Sequence, residues 1–200
     1  GGDTVIGSSS YVVSGTGSGS AGAASFNNIE NLTGTAGVDT FTLTAGSIGS
    51  LDGQGDDDNF NIVAGTFIAI EGGAGTGDAV SYANTVMLDL AATGLSGVAT
   101  WNANAAGDTL TGGSAYLFKS STGAEADGDT TIQYNGFETL AGTAGDDTFD
   151  LAGFTFAGIL NGLGQGAGGD TVSGASSYDV TGAGSGLSGR ANKSTLPRIT

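Results

Sequence analysis

Residues 39–51, DTFTLTAGSIGSL, and residues 58–70, DNFNIVAGTFIAI, align without a gap at an offset of 19. DAVSYANTVMLDL (78–90) follows at an offset of 20. Within each unit apolar and polar residues alternate: Phe41 and Leu43 against Thr40 and Thr42, Phe60 and Ile62 against Asn59 and Asn61. A period of two belongs to a strand with one buried face. A second apolar set recurs later in each unit, at Ile48 and Leu51 and again at Phe67 and Ile70. Each unit therefore holds two short strands joined by Gly-rich turns. Neither strand buries its apolar face alone, so the chain is expected to coil and stack like on like, Phe41 on Phe60 and then Val80. The expected fold is all-β: a parallel β-solenoid (β-helix or β-roll) with roughly 18–20 residues per turn.

The register extends outward from this core. Asp108, Asp129, Asp147 and Asp170 continue the series begun by Asp39, Asp58 and Asp78, with successive gaps of 19, 20, 30, 21, 18 and 23. Asp3 lies 36 residues before Asp39, which reads as two turns of which one lacks its Asp. The 30-residue gap between Asp78 and Asp108 contains the single Trp, Trp101, and is expected to interrupt the column or bulge from it. A longer repeat is superimposed. GGDTVIGSSSYVVSGTGSG (1–19) returns as GGDTVSGASSYDVTGAGSG (168–186), identical at 14 of 19 positions. FNNIENLTGTAGVDTFTL (26–43) returns as YNGFETLAGTAGDDTFDL (134–151), identical at 11 of 18. Residues 1–189 thus read as one continuous solenoid, with a long unit over about 1–167, the next starting at 168, and a non-repeat tail, RANKSTLPRIT, over 190–200.

Composition narrows the function classes. The 200 residues carry 40 Gly, one Pro, no Cys, no His and a net charge of -16. Glycine at that density excludes a helical bundle, since each interior Gly costs a helix roughly 1 kcal/mol relative to Ala. The charge repels phosphate backbones and anionic lipid, so nucleic acid is not an expected partner. No apolar stretch is long enough for a membrane-spanning helix. Lys119 is the only base before Arg190, Lys193 and Arg198, so the body of the chain is almost purely acidic. With thiolate and imidazole absent, only hard oxygen ligands remain, and these suit calcium.

The acidic residues follow glycine-rich turns: GTAGVD (34–39), DGQGDDD (52–58), EGGAGTGD (71–78), GTAGDD (142–147) and GQGAGGD (164–170). Stacked on one edge, their carboxylates repel by roughly 1–4 kcal/mol per pair, which a cation relieves. The expected metal ligands are Asp39, Asp57, Asp58, Asp78, Asp129, Asp146, Asp147 and Asp170. Turn formation alone also accounts for Asp beside Gly. The turns resemble the RTX repeat of secreted bacterial proteins, the nonapeptide G-G-x-G-x-D-x-U-x with U a large apolar residue. GTAGVDTFT (34–42) and GTAGDDTFD (142–150) fit it with the second Gly replaced by Thr, placing its Asp on Asp39 and Asp147 and U on Phe41 and Phe149. GGAGTGDAVSYAN (72–84) fits with one extra residue and places Asp78 in the ligand role. The resemblance implies calcium bound between successive coils of a β-roll. It differs in spacing: the motif appears once per unit, so at most one edge carries ions. Stretches of the FNNIENLTGTAG type also resemble long repetitive bacterial surface and filamentous adhesins.

These readings converge on a non-enzymatic, secreted structural protein at the bacterial cell surface: a calcium-stabilised segment of an adhesin, stalk, S-layer or self-assembling filament. Its expected partners are calcium, neighbouring repeats or copies of itself, and cell-surface or matrix polysaccharide. Two alternatives stand beside it. An ice-binding adhesin repeat would use a partial Thr-rich ladder of the outward residues Thr40, Thr42, Thr109, Thr111, Thr171 and Ser173. A solenoid polysaccharide lyase or hydrolase would need Lys119 as base or paired carboxylates at Asp56, Asp57 and Asp58. GSGSAG (17–22) matches a dinucleotide fingerprint but is followed by no helix-forming segment.

Overall fold

The computed structural model describes residues 2–90, 95–129, 131–164 and 167–175. These form twenty-one short strands and no α-helix. The largest sheet has twelve strands, and its register reproduces the sequence alignment. Thr40–Leu43, Asn59–Ile62 and Ala79–Tyr82 pair in parallel, with Phe41 opposite Phe60 and Phe60 opposite Val80. Tyr11 precedes Phe41 in this row, while Trp101 and then Tyr134 follow Val80. The rings of Tyr11, Phe41 and Phe60 stack at centroid spacings of 5.0 and 4.9 Å and within 9° of parallel. Each such contact adds about 0.5–1.5 kcal/mol to ordinary burial. All three side chains are fully buried.

The later apolar set of each unit builds the other wall. Asn31–Thr33, Ser47–Asp52 and Thr66–Glu71 pair in parallel with Leu32, Leu51 and Ile70 in one row and Ile48 opposite Phe67. Leu95–Ser96 ends this sheet beside Thr66–Glu71, and a separate four-stranded sheet is built from Met87–Asp89, Thr109–Thr111, Thr139–Ala141 and Ile159–Asn161, with the row Leu88, Leu110, Leu140 and Leu160. Buried residues from all three sheets join in a single hydrophobic core.

The long gaps in the Asp series prove to be built structure. Between Asp3 and Asp39 there are not two ordinary turns. Ser10–Gly15, Ser18–Ala21 and Ala24–Phe26 form an antiparallel meander at one end of the large sheet. Ala115–Phe118, Gly123–Ala126 and Gln133–Asn135 repeat that meander inside the sheet. In both, a tyrosine hydroxyl ties the first strand to the opposite wall. Tyr11 donates to Thr33 O at 2.6 Å and accepts from Ser8 N; Tyr116 donates to Ala141 O at 2.8 Å and accepts from Gly113 N. Trp101 does not bulge out. It is 2% exposed in Thr100–Ala103, a full strand in register with Ala79–Tyr82.

The two GGDTV copies part company. Thr4–Ile6 pairs with Asn31–Thr33 in the five-stranded sheet, whereas Thr171–Ser173 pairs with Thr148–Asp150 in the large one. The threonines proposed for ice binding do not form one ladder either, because Thr40 and Thr42 lie in the large sheet and Thr109 and Thr111 in the four-stranded one. Residues 176–200, with the rest of the second copy and the 190–200 tail, lie outside the described residues.

Candidate functional site

The buried aspartates sit immediately before strands, where a side chain reaches along the stack. Asp39, Asp58 and Asp78 are fully buried and lie at equivalent positions on three successive passes of the large sheet. Their carboxylates interlock with the backbone. Asp39 N–H donates to Asp58 Oδ1 at 2.7 Å and Asp58 N–H donates to Asp78 Oδ1 at 2.8 Å. Asp147 and Asp170 repeat the arrangement, with Asp147 N–H donating to Asp170 Oδ1 at 3.0 Å. The column stops after Asp78 because the next equivalent position is Ala99, which has no carboxylate to offer.

Asp108 belongs to a second column, on the four-stranded sheet. Its Oδ1 accepts from Val86 N at 2.6 Å, and its own N–H donates to Glu138 Oε2 at 2.9 Å. Asp3 N–H likewise donates to Glu30 Oε2 at 2.7 Å in the five-stranded sheet. The pattern occurs in all three sheets: Asp58, Asp78, Asp170, Asp108, Glu138 and Glu30 each cap the amide at the same position one pass earlier, whereas Asp39 and Asp147 accept from threonines of their own turns. Sequence reasoning missed Glu30 and Glu138. The signal was there, an acidic residue directly before an apolar-alternating run, once Glu is admitted beside Asp.

Each buried Asp of the large sheet lies over a glycine. A Cβ on Gly34, Gly53, Gly142 or Gly162 would stand 2.2, 2.0, 2.2 or 1.7 Å from Oδ2 of Asp39, Asp58, Asp147 or Asp170. On Gly72 it would stand 2.8 Å from Asp78 Cγ. None of these five glycines has a positive φ. They are required for room rather than for a left-handed backbone. The next pass contributes a carbonyl to the same space: Gly53 O lies 2.9 Å from the Gly34 Cβ position, Gly72 O 2.5 Å from that of Gly53, and Gly97 O 2.3 Å from that of Gly72.

The second carboxylate oxygen separates two kinds of turn. In GTAG turns the residue after the glycine satisfies it: Thr35 N donates to Asp39 Oδ2 at 2.6 Å and Thr143 N to Asp147 Oδ2 at 3.0 Å, with each threonine hydroxyl on Oδ1. In the others that residue is left-handed, Gln54 at φ 77°, Gly73 at 106° and Leu163 at 58°. Gln54 N and Leu163 N turn to Asp52 Oδ1 and Asn161 Oδ1. Oδ2 of Asp58, Asp78 and Asp170 is then buried with no hydrogen-bond partner. Burial pushes the Asp58 carboxyl up to about 6, opposed by the Asp39 amide and reinforced by the charges of Asp39, Asp78 and Asp56. Burial raises Asp78 as well.

The remaining candidates stand apart. Asp57 and Asp146 are exposed caps on neighbouring turns: Asp57 Oδ1 accepts from Thr76 N and Gly77 N, and Asp146 from Gly168 N and Gly169 N. Asp129 is outside both columns. It is exposed, accepts from the Thr131 hydroxyl and amide, and is held below the usual carboxylate range by those bonds. With Asp127 it borders a cavity of about 200 Å³ beside Trp101 and Tyr134. Lys119 is paired with the buried Glu125 at 3.1 Å. Among the described residues no three acidic side chains converge as a metal cluster, and no helix is long and apolar enough to cross a membrane. Comparisons with protein-family models, curated proteins and solved structures found no match for this chain.

Proposed function

We propose that successive passes close into a parallel β-solenoid and that the chain is a non-enzymatic structural segment of a secreted bacterial surface protein, an adhesin, stalk, layer or filament, stiffened by calcium. The observation that carries this reading is the buried aspartate column with three orphaned oxygens, at Asp58, Asp78 and Asp170. An unpaired buried acceptor costs about 1–3 kcal/mol, and neighbouring carboxylates about 5 Å apart repel by about 3 kcal/mol at an effective dielectric of 20. A hard cation beside the orphaned oxygens relieves both costs. The donors fit in kind, since Asp58 Oδ2 and Gly72 O border the same small space left by Gly53. Bound there, calcium would neutralise the column and bridge adjacent passes.

The protein supplies few of the six to eight oxygens calcium takes, so water completes the shell and affinity falls in the weak extracellular class, about 10⁻⁴–10⁻³ M. The ions belong at Asp58, Asp78 and Asp170. Asp39 and Asp147, whose carboxylates are already satisfied by Thr35 and Thr143, need none. Lys119, committed to Glu125, supports the non-enzymatic reading against a lyase.

The test is thermal melting and circular dichroism with millimolar calcium or chelator. Calcium raises Tm in the wild type and fails to do so in Asp58→Asn/Asp78→Asn/Asp170→Asn. An unchanged Tm in the wild type rejects calcium as the stiffening ion.

A further inference from the structure

The outer face of the large sheet changes character along its length. From Ser10–Gly15 to Gln133–Asn135 six strands run parallel and in register, so their outward side chains form two rows. One row is Val12, Thr42, Asn61, Ser81, Asn102 and Asn135. The other lies two residues earlier and runs from Ser10 through Thr40 and Asn59 to Gln133. Neither row holds a charged residue, in a chain whose net charge is -16. Elsewhere the outward positions include acids: Asp52 lies opposite Glu71 on the five-stranded sheet, and Asp150 follows Phe149 on the later part of the large one.

This uncharged strip is ordered and has hydrogen-bonding capacity to spare. The row from Val12 to Asn135 is half-buried throughout, so neighbouring side chains restrict one another. Asn135 Nδ2 donates to Asn102 Oδ1 at 3.2 Å and Asn102 Nδ2 to Ser81 Oγ at 3.4 Å, which fixes both amides across three successive strands. Among the described residues the side chains of Thr40, Thr42, Asn59, Asn61, Thr100 and Gln133 make no hydrogen bond. Strands recur about every 4.8 Å, so six span about 24 Å. A strip of that length and two rows wide falls well short of the roughly 800 Å² per partner of a stable protein interface. It does accommodate a single extended sugar chain, whose residues recur at nearly the same interval when β-1,4-linked. Hydroxyls and amides both donate and accept, as sugar hydroxyls require. The acids around the strip repel a uronate or sulfated chain, which leaves a neutral one.

We propose that this strip is a docking surface for a neutral, extended β-1,4-linked polysaccharide, laid across the strands along the stack. Each sugar lies over about one strand and meets the outward groups of both rows. The amides of Asn102 and Asn135 are already held in place, so little ordering is lost when the chain binds. Asn59, Asn61, Thr40 and Thr42 offer the unpartnered donors and acceptors beside them. The inference rests on the structural-segment reading above and names its partner, a glycan that the segment holds without cleaving.

Affinity electrophoresis of the whole chain in gels containing hydroxyethylcellulose, with calorimetric titration of cellohexaose, tests it. The wild type is expected to be retarded by hydroxyethylcellulose and to bind cellohexaose. Carboxymethylcellulose, the same backbone carrying negative charge, should retard it much less at low salt. Asn61→Ala/Asn102→Ala removes two amides without adding charge and should weaken binding by about tenfold. Asn61→Asp/Asn102→Asp should abolish it. Thr109→Ala/Thr139→Ala, on the outside of the four-stranded sheet, should bind as the wild type does. All variants should keep the strand signal in circular dichroism, so that a loss of binding is not a loss of fold. No binding to either neutral probe, equal retardation by carboxymethylcellulose, or an affinity unmoved by both asparagine variants overturns the proposal. Shortening of the bound glycan would keep the docking strip and reject the non-enzymatic reading, whereas a calcium response without glycan binding would reject the strip alone.

Discussion

The GTAG turns before Asp39 and Asp147 and the turns before Asp58, Asp78 and Asp170 place the same carboxylate over the same kind of glycine, yet only the first pair leaves it satisfied. The difference is the direction of one amide. In the GTAG turns it points at the carboxylate. Where Asp52 or Asn161 precedes the glycine, that side chain captures the amide and the next residue turns left-handed. For Asp58 and Asp170 a local Asx interaction thus decides whether a buried carboxylate six or nine residues later is completed by protein or left with one oxygen unpartnered. The molecule has turns that satisfy the carboxylate and turns that leave one of its oxygens without a partner.

The largest effect should come from filling the space both kinds share. Gly53→Ala and Gly142→Ala drive a Cβ into the carboxylate and are expected to cost about 1–3 kcal/mol each in denaturant unfolding, more if the Asp is expelled. Gly55→Ala, whose Cβ would meet nothing closer than 3.7 Å, should be close to neutral. If Gly53→Ala proves harmless, the glycine column is not there for room.

The next effect separates the two classes. Thr143→Val removes the hydroxyl on Asp147 Oδ1 and should lower stability by about 1–2 kcal/mol. Asp58→Asn keeps an acceptor for Asp39 N–H and places an amide donor where Oδ2 was orphaned, near Gly72 O. Without calcium its Tm should match or exceed that of the wild type. A large loss in Asp58→Asn would show the orphaned oxygen to be satisfied after all.

Dependence on pH should be smaller and of unusual sign. The Asp58 carboxyl titrates near 6 in the folded chain, above its ordinary 3.8. Between those values the folded state holds the proton more tightly than the unfolded one, so the contribution falls as pH rises from about 4 to about 6 and then levels. Asp78 shifts in the same direction. Melting across this window should show Tm decreasing with pH in chelator, and the slope should flatten in Asp58→Asn or with millimolar calcium. A Tm rising over the same window contradicts the assignment. The smallest effect is expected for Asp57→Ala, which removes an exposed cap from Thr76 N and Gly77 N and should cost no more than about 1 kcal/mol.

Much of this was legible in the sequence. The alternation around Phe41 and Phe60 and the offset of 19 gave the strands, their direction and their register, because only like-on-like stacking buries so thin an apolar set. The meanders were not legible. Their strands are short and Gly- and Ser-rich, so SGSA (18–21) has no apolar period to read. Similar sequence even misled, since the two GGDTV copies occupy different sheets. Of the candidate ligands, spacing identified the buried Asp positions but ranked Asp129 with them, and it lies in an exposed loop.

What the sequence determined by itself is the repeat, the core rows and the acidic position before each strand, all properties of side-chain period and composition. The tertiary structure decided what those acids do. Whether a carboxylate oxygen is capped or orphaned depends on the orientation of a single peptide in the turn and on which residue of the next pass lies above it. Neither is set by residue type alone.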